Sequence, residues 1–313
     1  MLNPLVNDAE GRFRTGMRIL SYIILLLIGL GILALAIART KVPGLLFPGM
    51  AFLALGCTWL AAKALDKRPF PSYGFGLSPR WWLESALGIG LGAILMGLIF
   101  LLSLAAGWIS LRSPPPPPIS TGGLLRSAVQ CISLAVMEGI VIRGYFFRNL
   151  AEGLAFPRVG KKVAALTAWI LSGIASGIYR AGQEGSTGFS VFTLCVFGLV
   201  LGLPLLLDGQ LALSLGLQAG WNFFQGSVFG FSVSGITELG EGSLIDIVQG
   251  GAPWLSGSTY GPEAGLIGLA ACLAGAAGII CLYRLKSGIW FRIDPELGCW
   301  KAPPADEGSG SKA

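Results

Sequence analysis

Residues 19–38 read ILSYIILLLIGLGILALAIA, an apolar run without one charged side chain. As helix, at about 1.5 Å per residue, a run of this length crosses the roughly 30 Å of hydrocarbon in a bilayer. Arg12, Arg14 and Arg18 precede it, and Arg39 and Lys41 follow it, so the charges fall where membrane–water interfaces would lie. A cleaved leader has a shorter apolar region, about 7 to 15 residues, ending at a small-residue site. The run therefore reads as a spanning helix.

The rest of the chain repeats this pattern. Of its 313 residues 53% are hydrophobic and 12% charged, with a mean hydropathy of +0.72; an ordinary soluble domain carries roughly twice that share of charge. Apolar runs at about 19–38, 45–62, 82–107, 124–147, 163–181, 189–207, 211–233 and 264–284 predict an all-α polytopic membrane bundle of about eight transmembrane helices. Cys57, Cys131, Cys195, Cys272, Cys281 and Cys299 lie far apart with no C-x-x-C and read as small core residues. The formal net charge of +6 does not indicate nucleic acid, because the basic residues sit in short loops beside apolar runs.

Those loops orient the chain. With the N-terminus inside, Arg12, Arg14, Arg18, Lys63, Lys67, Arg68, Arg80, Arg148, Arg158, Lys161, Lys162, Arg284, Lys286, Arg292, Lys301 and Lys312 fall inside, and Arg39, Lys41, Arg112 and Arg180 outside. Cytoplasmic loops collect Lys and Arg, so the asymmetry predicts an even span count with both termini cytoplasmic, as in a bacterial inner membrane. The expected organisation is a cytoplasmic segment 1–18, a membrane domain 19–286 with an external loop 234–263 bearing Glu238, Glu241, Asp246 and Glu263, and a cytoplasmic tail 287–313 disordered at its end. The proline run 114–118 predicts a stiff external connector. Gly88, Gly90 and Gly92, inside one span, predict a close helix approach rather than a nucleotide loop.

An ionisable group at the bilayer centre costs about 2.5 to 3.5 kcal/mol. Such residues need a reason. The run 124–147 contains Arg126, Glu138 and Arg143; Arg180 stands near the end of 163–181; Gln218 and Asn222 share one face of 211–233. Together Glu138, Arg143, Arg180, Gln218 and Asn222 predict a polar centre within the membrane. Periodicity alone leaves open whether it is a functional site or a buried network that fixes helix register.

Local motifs carry the reading further. Met137-Glu138-Gly139-Ile140-Val141-Ile142-Arg143-Gly144 resembles the E-E-x-x-x-R-G motif of the CPBP family of intramembrane proteases, which includes the type II CAAX prenyl endopeptidases. Gln218-Ala219-Gly220-Trp221-Asn222-Phe223 is similar to that family's H-x-x-W-N-F motif, and Asp66-Lys67-Arg68-Pro69-Phe70, Ser234-Gly235 and Tyr260-Gly261-Pro262-Glu263 resemble common family segments. The likeness covers roughly residues 65–284. It implies a helical protease in which a glutamate activates water while two histidines and an asparagine position it and stabilise the oxyanion.

This chain departs from that pattern. Gly139 stands at the second glutamate, Arg180 and Gln218 stand at the histidines, and there is no histidine in the sequence. Zinc needs converging nitrogen, sulfur or carboxylate ligands, and a magnesium ion would find one charged ligand beside Arg180; no metal or cofactor is expected. Arginine cannot shuttle a proton as histidine does. The expectation is a degenerate pseudoprotease that acts by binding a membrane segment or partner protein. An active endopeptidase using Glu138, with Arg180, Gln218 and Asn222 as oxyanion donors, is the alternative. A transport path lined by Glu138, Arg143 and Arg180 is a third, without the internal repeat it calls for. The partners implied are the lipid bilayer and a membrane-protein or peptide substrate or partner, with no nucleic acid, and no oligomeric state follows.

A Glu138–Arg180 contact is the geometric expectation, but not an easy one. Arg180 lies about 25 Å along its span, and Gln218 about 10 Å along the next polar one.

Overall fold

The computed structural model describes residues 5–7, 10–40, 44–114, 117, 119–183, 185–236 and 242–299. It is an all-α polytopic bundle. In chain order come α1 (Thr15–Thr40), α2 (Leu46–Ala61) with a π-helical turn over Ala62–Asp66, and α3 (Pro79–Ala105). A continuous helical run follows: α4 (Thr121–Glu138), a π-helical segment (Gly139–Phe147) and α5 (Arg148–Leu154). Then come α6 (Lys161–Tyr179), α7 (Gly188–Asp208), α8 (Ala212–Phe223) with a π turn over Phe224–Val228, the short α9 (Pro253–Ser256) and α10 (Leu266–Ser287).

Among the described residues, seven helices are long and apolar enough to cross a membrane. The remaining apolar run, 211–233, forms α8 and its π turn, and then leaves the helix. Residues 212–222 are all buried, enclosed by the other helices. Enclosure explains the short length: a helix covered by its neighbours need not present a full apolar span to lipid. By contrast α1 leaves Leu27, Ile28, Ile32 and Leu35 more than half exposed, as a lipid-facing helix would.

Glycine sets the contact between α3 and α8, which run side by side in the same direction. Gly88 lies against Leu213, Gly216 and Leu217, and Gly92 against Leu217, Gly220 and Trp221. A Cβ on Gly216 would stand 1.9 Å from the Ser85 carbonyl oxygen, and one on Gly220 2.5 Å from that of Ile89. The predicted glycine patch is therefore Gly88 and Gly92, four apart on one face. Gly90 has nothing within 4 Å of its Cβ position and takes no part.

Side-chain caps open three of the helices: Ser78 accepts from the Trp81 amide, Ser120 from that of Gly123, and Thr187 from that of Ser190. Two small antiparallel pairs complete the fold. β1 (Val6–Asn7) meets β2 (Arg12–Phe13), and β3 (Ile109–Leu111) meets β4 (Ile247–Gln249).

One end of the bundle is strongly charged. There, where α1 begins and α2, α7 and α10 finish, Arg18 contacts Asp66 at 2.9 Å and Glu152 at 2.7 Å. Arg12 and Arg68 also pair with Glu152, and the Tyr73 hydroxyl donates to Asp66. The sequence presents these arginines as interface charges; the fold buries Arg12 to 3% and Arg18 to 2% exposure, because each is paired. Much of the proline connector (Pro115, Pro116 and Pro118), the loop acids Glu238 and Glu241, and the tail from 300 onward lie outside the described residues.

Candidate functional site

At the C-terminus of α4, in the middle of the continuous run from Thr121 to Leu154, the backbone leaves α geometry just after Glu138. In an α-helix, positions five apart point about 140° away from each other. The π-helical segment Gly139–Phe147 bonds i to i+5 and winds more slowly, which brings position 143 back over position 138. Glu138 and Arg143 thus face the same neighbour, α8. Gly139, where the resemblance leads one to expect a second glutamate, is packed so that a Cβ would stand 2.3 Å from the Leu215 side chain.

Glu138 is the hub. Arg180 Nη2 donates to its Oε1 at 2.9 Å and its Oε2 at 2.7 Å. Gln218 Nε2 donates to Oε2 at 2.6 Å, and Arg143 Nη2 donates to Gln218 Oε1. All four residues are buried, none above 6% exposure. The axial offset between Arg180 and Gln218 is bridged rather than removed. Arg180 caps the C-terminus of α6, and its long side chain and Gln218 meet at the same carboxylate.

Asn222 is placed differently. It lies one turn beyond Gln218 on α8 and is 2% exposed, but its Nδ2 has no hydrogen-bond partner among the described residues. The hydrogen-bonded chain thus takes in four of the five sequence-predicted residues and leaves Asn222 beside it with an idle donor.

The chain also continues past the predicted set. Arg180 Nη1 donates to Ser234 Oγ at 2.8 Å. Ser234 in turn gives its hydroxyl to Glu263 at 2.8 Å and its backbone N–H to the same oxygen at 2.6 Å. Gln225 Nε2 reaches the other Glu263 oxygen at 2.5 Å. Ser234 has φ of +49°, a left-handed conformation that the two bonds to Glu263 hold in place. Burial pushes the Glu263 carboxyl above the usual carboxylate range, against the opposing pull of Ser234 and Arg180. Hydropathy gives no hint of Ser234 and Glu263, since both lie between helices. The signal was their presence in the Ser-Gly and Gly-Pro-Glu segments.

The arrangement favours some chemistry over other. Oε1 of Glu138 accepts from Arg180, and Oε2 from both Arg180 and Gln218, so a cation or a water at either oxygen competes with a charge-assisted bond. Glu138 is the single carboxylate among the five predicted residues, which is a poor donor set for a metal ion.

Comparison with known proteins bears on the same stretch. Residues 120–224 match a family model described as type II CAAX prenyl endopeptidase Rce1-like. No curated protein and no solved structure matches the chain. The matched residues include both motif-bearing helices and the α6 terminus, and hence Glu138, Arg143, Arg180, Gln218 and Asn222. The matched segment, about a third of the chain, is thus similar to the Rce1-like family over all five sequence-predicted polar residues, while Ser234 and Glu263 lie beyond it.

Proposed function

We propose that this protein is a membrane-embedded pseudoprotease of the CPBP type, which binds a membrane segment or partner protein and does not hydrolyse it. The observation that carries this reading is the occupation of Glu138. A glutamate that activates water needs an oxygen free to accept the water proton, and a neighbour able to pass that proton on. Here both oxygens already accept hydrogen bonds, and the two donors are the amide of Gln218 and the guanidinium of Arg180, neither of which can take up a proton and pass it on. The pair keeps the contact between α4 and the end of α6 without the chemistry.

The active-endopeptidase reading has one observation in its favour, the idle Nδ2 of Asn222, a donor in position to serve an oxyanion one helical turn from Gln218. Purified protein in bilayers separates the two. Tagged membrane-segment peptides and prenylated peptides are incubated with the wild-type chain and with Glu138→Gln, and both cleavage and co-purification are measured. The expected result is retention of peptide without cleavage. Cleavage by the wild type that vanishes in Glu138→Gln overturns the pseudoprotease.

A further inference from the structure

Beyond Ser287 the chain turns back across the charged end of the bundle and is held there. The Asp294 amide donates to the Leu206 carbonyl at 2.9 Å, Leu297 is buried, and Gly298 lies against Ala151 and Lys161. Between this segment and the start of α6 is an open cleft of about 720 Å³, whose lining includes Lys161, Lys162, Phe291, Arg292 and Asp294. Lys161, Lys162 and Arg292 are exposed, as is Arg158 on the turn before α6. The ion pairs of this end go to other cations, Arg12, Arg18, Arg68 and Lys286. Arg158, Lys161, Lys162 and Arg292 have none among the described residues. Asp294 is the one acid among the lining residues; its Oδ1 accepts from the Glu296 amide at 3.1 Å, and its Oδ2 lies against Gly209, which Arg148 also approaches.

The rim of the cleft is apolar as well as basic. Ile289, Trp290 and Phe291 are 43%, 55% and 49% exposed, and the Arg284 guanidinium stacks 3.8 Å from the Trp290 ring centre. Below Lys161 and Lys162, the exposed side chains of Val163, Ile170, Ile174 and Ile178 share one face of α6. Bare hydrocarbon would leave the cations without counter-charge, and a soluble anion would leave the aromatic rings and the α6 face uncovered. A bilayer surface with negative headgroups covers both at once, since aromatic and basic side chains gather where acyl chains meet headgroups.

We infer that this cleft seats the headgroup of an acidic phospholipid, with the acyl chains along the exposed face of α6. Lys161, Lys162 and Arg292 meet the phosphate, and Trp290 and Phe291 lie at the level of the glycerol backbone. The site involves none of the residues of the Glu138 centre and does not depend on how that centre functions.

The test uses the full chain, stripped of lipid in a neutral detergent, with bound lipid counted by native mass spectrometry. Phosphatidylglycerol and phosphatidylcholine with the same acyl chains are titrated in parallel. The expected result is one phosphatidylglycerol retained at concentrations where phosphatidylcholine is not. Lys161→Gln and Arg292→Gln are each expected to weaken that retention about fivefold, the worth of one cation beside an acidic lipid surface. Neither substitution breaks a side-chain bond among the described residues, so both variants are expected to fold. Lys63→Gln, which removes an exposed cation at the same end but outside the cleft, is expected to leave retention unchanged. Equal retention of the two lipids overturns the inference, as does equal weakening in Lys63→Gln, which would mean bulk charge alone. Full competition by glycerol 3-phosphate, an anion without chains, overturns the assignment to a lipid.

Discussion

Arg180 Nη2 lies 2.7 Å from Glu138 Oε2 and 2.9 Å from Oε1, and joins residues 42 positions apart in the chain. One guanidinium nitrogen thus spans both carboxylate oxygens, while the other holds Ser234. The pair links the Gln218–Arg143 bonds on one side to the Ser234–Glu263 bonds on the other, and its removal has a defined cost.

Glu138→Ala leaves Arg180 buried beside no carboxylate on α4. Breaking one partner of a buried pair costs about 3 to 5 kcal/mol, whereas replacing both with apolar residues is often neutral. Unfolding of the purified protein in mixed detergent is expected to show that loss for Glu138→Ala, and most of it regained in the double variant Glu138→Leu with Arg180→Met. A single variant as stable as the wild type would mean that the pair contributes nothing to the fold.

Gly216→Ala places a Cβ against the Ser85 carbonyl, a backbone atom that cannot swing aside. The expected cost is ~1–3 kcal/mol or more, seen as a lowered melting midpoint. Gly90→Ala, on the same pair of helices with open space at its Cβ position, is expected to match the wild type or exceed it slightly, as alanine favours helix.

Glu152 accepts from Arg12, Arg18 and Arg68 and is 9% exposed at its side chain. Glu152→Gln keeps the shape but takes a carboxylate from three cations at once, leaving Arg18 paired with Asp66 and Arg12 with Glu10. Loosening of β2 and the start of α1 from α5 is expected, read as faster proteolysis near Arg12 and Arg14 and faster amide exchange over the start of α1.

Burial holds the Glu263 carboxyl above the ordinary range. The folded state then binds a proton that the unfolded state releases near pH ~4.3, so the contribution of Glu263 is complete below that pH and declines as pH rises toward the folded value. A falling melting midpoint from pH 4 upward, absent in Glu263→Gln, is the expected outcome. A midpoint that climbs with pH through Glu263, and is flattened by the same variant, would contradict the sign.

By itself the sequence determined the membrane class, the positions of the spanning helices and the identity of the polar residues that do not belong in hydrocarbon. Each of these is a local property: a run of apolar side chains, or one charge within it, is visible in a window of twenty residues. The CPBP-like segments were legible for the same reason, since Glu138 and Arg143, or Gln218 and Asn222, lie within one or two turns of each other.

Tertiary structure decided which of those residues meet. Gln218 and Arg180 reach Glu138 across 80 and 42 positions, and the π-helical winding after Glu138 that turns Arg143 toward α8 depends on packing, not on composition. Ser234 and Glu263 joined the centre from segments with no hydropathy signal, and the arginines that looked like interface markers proved to be buried around Asp66 and Glu152. A hydrogen bond depends on where distant segments come to rest, and a one-dimensional pattern records each group's need for a partner without saying which group will meet it.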